Sequence, residues 1–566
     1  MSTPADSTSA VAQDFATHDV VNQPPPLENY NLFTTDRALC EAVVREGAGW
    51  ATASLSDFGG RLGEAHVLAL GHLANKFPPV AQTHDRFGRR RDEVEFHPAW
   101  HELMGIAIAE RVHTGPWVTP RQGAHVARTA AYLLYSQVEN GTQCPLTMTY
   151  AAVPVLQKQL QALPMLADIW LPRMLSSEYD PRFIPVEQKR GALVGMGMTE
   201  KQGGSDVRAN TTRAEPMGAK GAGQPYRITG HKWFFSAPMC DAFLVLAKTS
   251  AGVGCFFMPR YLPDGGLNAI RVQRLKDKLG NKSNASSEVE FQGATAWLLG
   301  EEGRGVATIV EMVSYTRLDC AIGTAGLMRG AVAQALHHAA YRSTFGKRLV
   351  EHALMQNVLA DLALESEAAT ALVMRLARAS DVQNDEAETE LRRLLTPAVK
   401  YWVCKRGAFL AAEAMEVLGG NGYVEESVMP RIYREMPLNS IWEGSGNIMC
   451  LDVLRAAAHG PRVFEVYFAE LESARGADAR LDRFVDALKK QLTTPGDKES
   501  SARRLVESLA LALQGALLVK HAPHMVADAF CASRLAADWG HAFGTLPTGI
   551  DYAAIIGRAS PAISDL

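Results

Sequence analysis

Residues 431–450 read Arg431-Ile432-Tyr433-Arg434-Glu435-Met436-Pro437-Leu438-Asn439-Ser440-Ile441-Trp442-Glu443-Gly444-Ser445-Gly446-Asn447-Ile448-Met449-Cys450. A carboxylate, Glu443, stands between an apolar pair, Ile441-Trp442, and a Gly-Ser-Gly-Asn turn whose composition predicts the start of a helix. Burial beside Trp442 would disfavour the charged form of that carboxyl. The glycines let backbone come close to a ligand and aim amide donors at its carbonyl or anionic oxygens. A carboxylate beside such donors suits removal of a weakly acidic proton. Taken alone, the segment reads equally well as a helix cap with a solvated glutamate.

Working outward, 566 residues give room for two to four domains with large cores. A chain that is 47% hydrophobic and 21% charged has the composition of a soluble globular protein. Its formal net charge of -4 gives no overall attraction to nucleic acid or acidic membranes, so any such surface must be local. The eight cysteines are scattered without a Cys-x-x-Cys pair. That argues against a disulfide framework or a zinc site and fits a reducing, cytoplasmic location. The first twenty residues are polar, unlike a signal peptide. No stretch of about twenty apolar residues appears that would span a membrane.

The organisation changes along the chain. Residues 1–26 look like a disordered leader ending in Pro24-Pro25-Pro26, within an extended N-terminal segment that runs to 35. Residues 36–191 show helical periodicity, for example from Gly123 to Val138. Between 192 and 305 short β-rich runs alternate with turn residues: Tyr226 to Thr229, Trp233 to Phe235, Phe243 to Leu246, Cys255 to Met258 and Ser287 to Phe291. Long helical patterns return over 306–460, and a further helical block occupies 461–566. The expected class is α+β, with a helical N-terminal domain, a central β-barrel, a C-terminal helical bundle and an extra helical extension.

Several segments carry chemical potential. The entry to the β-region, Gly195-Met196-Gly197-Met198-Thr199-Glu200-Lys201-Gln202-Gly203-Gly204-Ser205-Asp206, presents amides and hydroxyls. Thr199 and Ser205 are suited to a planar ring or a pyrophosphate. Its spacing is neither Gly-x-Gly-x-x-Gly nor the Walker loop. In His231-Lys232-Trp233-Phe234-Phe235-Ser236, alternation puts Trp233 and Phe235 on one strand face and Phe234 on the other. Such an aromatic face, ending in the Ser236 hydroxyl, would suit one side of an isoalloxazine ring. Arg342-Ser343-Thr344-Phe345-Gly346-Lys347 closes a long helix, and Arg342 has the fork to bind a pyrophosphate. Leu418-Gly419-Gly420-Asn421-Gly422-Tyr423 is a helix end running into a glycine turn.

In this order, Thr-Glu-x-x-x-Gly-Ser-Asp, Lys-Trp-x-x-Ser, Arg-x-x-Phe-Gly, Leu-Gly-Gly-x-Gly-Tyr and aromatic-Glu-Gly-Ser resemble the acyl-CoA dehydrogenase family over roughly residues 42–455. The resemblance implies the three-part fold named above, FAD as cofactor and a homotetramer. It implies Met196, Met198, Thr199, Ser205, Trp233, Phe234, Phe235 and Ser236 as flavin contacts, with Trp442, Gly444, Ser445 and Asn447 also at the cofactor. Arg342, Phe345 and Gln356 would face the adenosine diphosphate part of a neighbouring subunit's FAD, and Gly420 would also lie at the cofactor. Glu443 matches the catalytic base that takes the α-proton of an acyl-CoA. Some members keep the base elsewhere; the matching position here is Thr316, ahead of Arg317. The chain departs from ordinary members in its longer ends and in Trp442, where tyrosine is commoner.

The likeness is stronger to an alkylation-response branch of the family, over Asn22-Gln23-Pro24 and from Glu435 to Arg455. That branch implies double-stranded DNA as a partner, bound through the C-terminal region, a role in protecting DNA or destroying alkylating agents, and an acyl-CoA or an alkylated small molecule as ligand. Alternatives are a catabolic short- or branched-chain dehydrogenase and a non-catalytic DNA-shielding flavoprotein. The residues support DNA binding weakly, because 461–566 carry 12 basic against 13 acidic side chains. Local candidates are Arg455, Lys489-Lys490 and Arg503-Arg504.

Overall fold

The computed structural model describes residues 17–381, 385–460, 462–493 and 496–561. Residues 1–16 of the expected leader lie outside the described residues, and the part that follows is tied down. Asn22 donates to the Ser343 carbonyl at 2.8 Å and accepts from its amide at 2.7 Å. Leu32 and Phe33 lie in the core. The proline run marks extended chain, and extended chain is free to bond side by side with another segment. The helical region also holds an unforeseen hairpin, β1 (Val80–His84) against β2 (Arg90–Glu95). Its half-exposed strands lack the clean alternation that signals a strand.

Two helices, α1 (Ala124–Ser136) and α2 (Gln143–Gln157), are buried almost throughout. The chain then forms β3 (Val194–Gly197), β4 (Arg213–Pro216), β5 (Pro225–Ser236), β6 (Ala242–Thr249), β7 (Gly252–Pro259), β8 (Ile270–Leu275) and β9 (Ser286–Leu299). Their order in the sheet is β3-β5-β4-β6-β7-β9-β8, with further pairings of β3 to β6 and β5 to β9. The sheet curls through these pairings but keeps an edge at β8, which pairs only with β9. It is therefore not the closed barrel expected. Local alternation specifies strands, whereas closure depends on which distant edges meet.

Behind the sheet runs α3 (Gly305–Tyr341), a 37-residue helix buried over most of its length. Small residues let neighbours come close: a Cβ on Gly326 would lie 2.5 Å from the Leu133 carbonyl of α1. Next come α4 (Ala353–Asp381), α5 (Glu386–Val417), α6 (Met429–Asn439) and α7 (Gly446–His459). The remaining chain adds α8 (Val463–Glu472), α9 (Ala479–Thr493), α10 (Ala502–His521) and α11 (Tyr552–Ala559). Arg558 of α11 bonds both Glu41 and Glu367, fastening the C-terminal helix to the N-terminal region and to α4. Apolar side chains of every layer join in one core. Since β3 packs on α2 and β7 on α3, the sheet's entry loop is held over the bundle. No helix among the described residues is long and apolar enough to cross a membrane.

Candidate active site

A cleft of about 1170 Å³ opens between the sheet and the bundle. The 199–206 loop forms one wall, and its anchor is a buried ion pair. Lys232 on β5 donates to Glu200 at 2.8 Å, and both side chains are fully enclosed. Glu200 also accepts from the Thr211 amide at 2.6 Å. Against the cost of burial, the Lys232 ammonium and these donors hold the Glu200 carboxyl down at about 2. Burial pulls Lys232 down to about 8, with Glu200 opposing it. This pin fixes Thr199 and Ser205 on the cleft wall beside Met196, Met198 and Ser236.

Strand β5 departs from simple alternation. A bulge between Lys232 and Phe235 shifts the register against β9. Phe234 is consequently 47% exposed and lines the cleft, while Phe235 is fully buried against Phe243 and Phe291. The expected flavin contact from Phe235 is corrected: it is a core residue, because the extra residue of a bulge breaks the two-residue period. Trp233 also lies off the cleft, its ring capped by the Lys276 ammonium at 3.2 Å.

The opposite wall is the turn between α6 and α7. Glu443 takes a left-handed backbone at φ 58° and Gly444 follows at φ 99°. Held by the surrounding contacts, such a non-glycine conformation costs of order 1 kcal/mol and marks a place where geometry outranks local comfort. Arg317 Nε donates to the Glu443 carbonyl at 3.0 Å, and Lys400 Nζ to the Gly444 carbonyl at 2.8 Å. Trp442 Nε1 bonds Asn439 Oδ1 at 2.9 Å. Ile441 is 64% exposed and Glu443 half-buried, so the turn is a half-open rim rather than the apolar enclosure expected.

Five acids line the cleft, and their partners separate them. Glu311 pairs with Lys158, Asp319 with Arg128, and Asp452 with Arg317 and Arg455. Glu435, buried on α6, is bonded by the amide and side chain of Asn281. Burial and the nearby Glu139 carboxylate push it up to about 7. The Glu443 carboxylate forms no ion pair among the described residues; its Oε2 accepts from the Thr316 hydroxyl at 2.5 Å. Reading the sequence did not single out Glu435, and it named Thr316 only as the alternative base position, not as a partner of Glu443. No local signal marks a helical glutamate that only tertiary contacts bury.

Of the other expected residues, Trp442, Gly444, Ser445 and Arg455 line the cleft. Asn447 stands just outside on α7, where Arg503 donates to it at 2.9 Å. Arg342, Phe345, Gln356 and Gly420 lie away from the cleft. There Arg342 bonds the Asn22 carbonyl at 2.6 Å, Phe345 is 99% exposed, and no atom lies within 4 Å of a Cβ placed on Gly420. Lys489 on α9 pairs with Glu472 and caps the Phe468 ring of α8, so Lys489-Lys490 and Arg503-Arg504 sit on different helices, α9 and α10.

The cleft suits a flavin. Hydroxyl-bearing Thr199, Ser205 and Ser236 stand with the exposed ring of Phe234 on one wall, and Glu443 lies on the other.

Residues 22–181 match the N-terminal domain of the adaptive response protein AidB. Residues 195–294 and 303–458 match the middle and C-terminal domains of acyl-CoA dehydrogenases. The AidB protein of Escherichia coli (strain K12) is 52% identical over 91% of this chain and 94% of its own length. The structure of Caenorhabditis elegans ACDH-11 in complex with C11-CoA superposes with a TM-score of 0.83 at 26% identity, covering 93% of this chain and 95% of that one. Butyryl-CoA dehydrogenase from Megasphaera elsdenii shares the fold at a TM-score of 0.52 and 20% identity, over 76% of this chain and 100% of its own. The chain belongs to the acyl-CoA dehydrogenase family of FAD-dependent oxidoreductases, and within it to the AidB group.

Proposed function

We propose that Glu443 removes the α-proton of an acyl-CoA thioester bound in the cleft. The observation that carries this reading is the partner pattern. Among the described residues, Glu443 alone of the five cleft acids has a carboxylate with one oxygen free of protein donors and no ion pair. A carboxylate in that state keeps a lone pair for a carbon-bound proton. Bound along Met198, Thr199, Ser205, Phe234 and Ser236, FAD supplies the acceptor for the β-hydride. Arg317 and Lys400 hold the backbone of the Glu443 turn from the bundle side, which keeps the residue on the cleft wall. Arg393 and Arg455, exposed where they meet the cleft, suit the phosphates of CoA. Arg342, Phe345 and Gln356 serve the adenosine diphosphate half of a neighbouring copy's FAD in a homotetramer, with the Gly420 turn also at the cofactor. Support for that comes from the exposure of Phe345 and Leu354, near Arg342 in the chain, and of Tyr423, near Gly420. Anaerobic mixing of the holoenzyme with C11-CoA tests the reading: bleaching of the flavin is expected, and a flavin that stays oxidised would sink it.

A second reading adds double-stranded DNA and a role in the response to DNA alkylation, with the 461–566 block as its binding region. It is favoured by the placement of Arg455 and Arg503 on α7 and α10, which pack together beside the cleft. Binding to a labelled duplex should weaken steeply with salt. Survival of alkylated cells carrying Glu443→Gln then separates catalysis from shielding, since shielding alone would leave protection intact.

A further inference from the structure

The turn that carries Glu443 is anchored at the backbone on both sides, by Arg317 on its own carbonyl and by Lys400 on the next. These anchors leave the side-chain torsions of Glu443 as its remaining freedom. Thr316 lies on α3, 2% exposed, with its hydroxyl 2.5 Å from Glu443 Oε2 and 3.0 Å from the Val313 carbonyl three residues back. A threonine hydroxyl has one proton to give, and a carboxylate is the stronger acceptor. No protein group bonds Glu443 Oε1 among the described residues.

We propose that Thr316 is the positioning residue of the base. Its hydroxyl occupies Oε2 and so presents Oε1 to the substrate. When the α C–H bond breaks, the proton goes to Oε1 and the bonding pair stays on the substrate carbon. The Thr316 donor remains on Oε2 throughout, so neither oxygen has to change partners. The bland alternative is a helical threonine bonded back to Val313, as helical threonines commonly are. In that case the short contact to Glu443 would carry no consequence for the reaction.

The inference rests on Glu443 being the base, and its test keeps the two apart. Holoenzyme forms of the parent, Thr316→Val, Thr316→Ser and Glu443→Gln are reduced anaerobically by C11-CoA at neutral pH. Substrate dissociation constants are read separately from the flavin spectrum. Thr316→Val should slow reduction about tenfold at neutral pH with the dissociation constant unchanged. Thr316→Ser, which keeps the hydroxyl, should restore the rate. Thr316→Ala repeats the test without a second methyl group facing Val313. A parent flavin that C11-CoA does not bleach, or a Glu443→Gln enzyme as fast as the parent, would overturn the base reading and this inference with it. An inactive Glu443→Gln beside Val and Ala variants that reduce at the parent's rate would overturn the inference alone.

Discussion

Two carboxylates on one cleft, eight residues apart in the chain, have opposite surroundings. Glu435 sits in a regular helix, buried, with Glu139 facing it, and is pushed up to about 7. Glu443 sits in a left-handed turn, half-buried, on a single hydroxyl. A near-neutral carboxyl is what general-base theory favours, so titration alone would choose Glu435. Geometry chooses otherwise. Both Glu435 oxygens are taken by Asn281, at 2.5 and 3.2 Å, whereas Glu443 keeps one open. A base needs a reachable lone pair before it needs a suitable basicity.

The comparison breaks most directly by exchanging the two. Glu443→Gln should slow flavin reduction by C11-CoA about a thousandfold, in the middle of the range for loss of a general base. Glu435→Gln should stay within a few-fold of the parent. The reverse pattern in stopped-flow traces would move the base to the buried end of the cleft.

Next in size is a third acid, Glu200, enclosed like Glu435 but paired with Lys232. Glu200→Gln leaves an enclosed ammonium without its counter-ion, which should cost about 3 kcal/mol of stability in denaturant melts. Its folded value lies below the ordinary 4.5, so the Glu200 contribution is present above pH 4.5 and fades as pH falls toward 2. A variant as stable as the parent at pH 7 would mean that this pin does not hold the entry loop.

Glu435→Gln should do the opposite to stability. The parent's folded value is raised, so an unfolded chain ionises near 4.5 while the native protein holds its proton to about 7. Stability from this group is therefore full below 4.5, falls as pH rises through that interval, and stays lower above it. Removing the charge should make the variant more stable by about 2 kcal/mol at pH 8, with little difference at pH 4.5. Asn281 Oδ1 is buried without a partner, and an amide flip lets it accept from the new Gln nitrogen. Melting curves that shift equally at both pH values would refute the assigned protonation.

How much of this was legible in the sequence follows from which contacts are local. Tyr226 to Thr229 is a strand by alternation, and Phe243 to Leu246 and Cys255 to Met258 are strands as continuous apolar runs with β-branched or aromatic side chains, all signals that act within the segment. The family was legible because its motifs bring backbone conformations with them, such as the positive φ at Gly419 and Gly444. Phe235 was misread because a bulge is decided by the partner strand β9. Glu435, spaced one and four residues from Arg434 and Arg431, reads as an exposed helical charge. Only Asn281 and Glu139, from distant segments, make it buried and acidic-cluster-like. The Asn22 contact to Arg342 was hidden for the same reason, with 320 residues between the partners.

The smallest expected effect lies at the outer end of the cleft, where Arg503 meets Asn447. As a structural contact it is an exposed hydrogen bond, and Arg503→Ala should change stability by no more than about half a kcal/mol. As a phosphate contact it would release about one counterion, so the slope of log affinity for duplex DNA against log salt should fall by about one. Lys489→Ala is the matched comparison, since Glu472 already neutralises that ammonium and little slope should be lost. Equal slopes for parent and Arg503→Ala would remove this arginine from any DNA surface. A loss at Lys489 but not at Arg503 would move that surface away from the cleft, and with it the reason to link nucleic acid to Glu443.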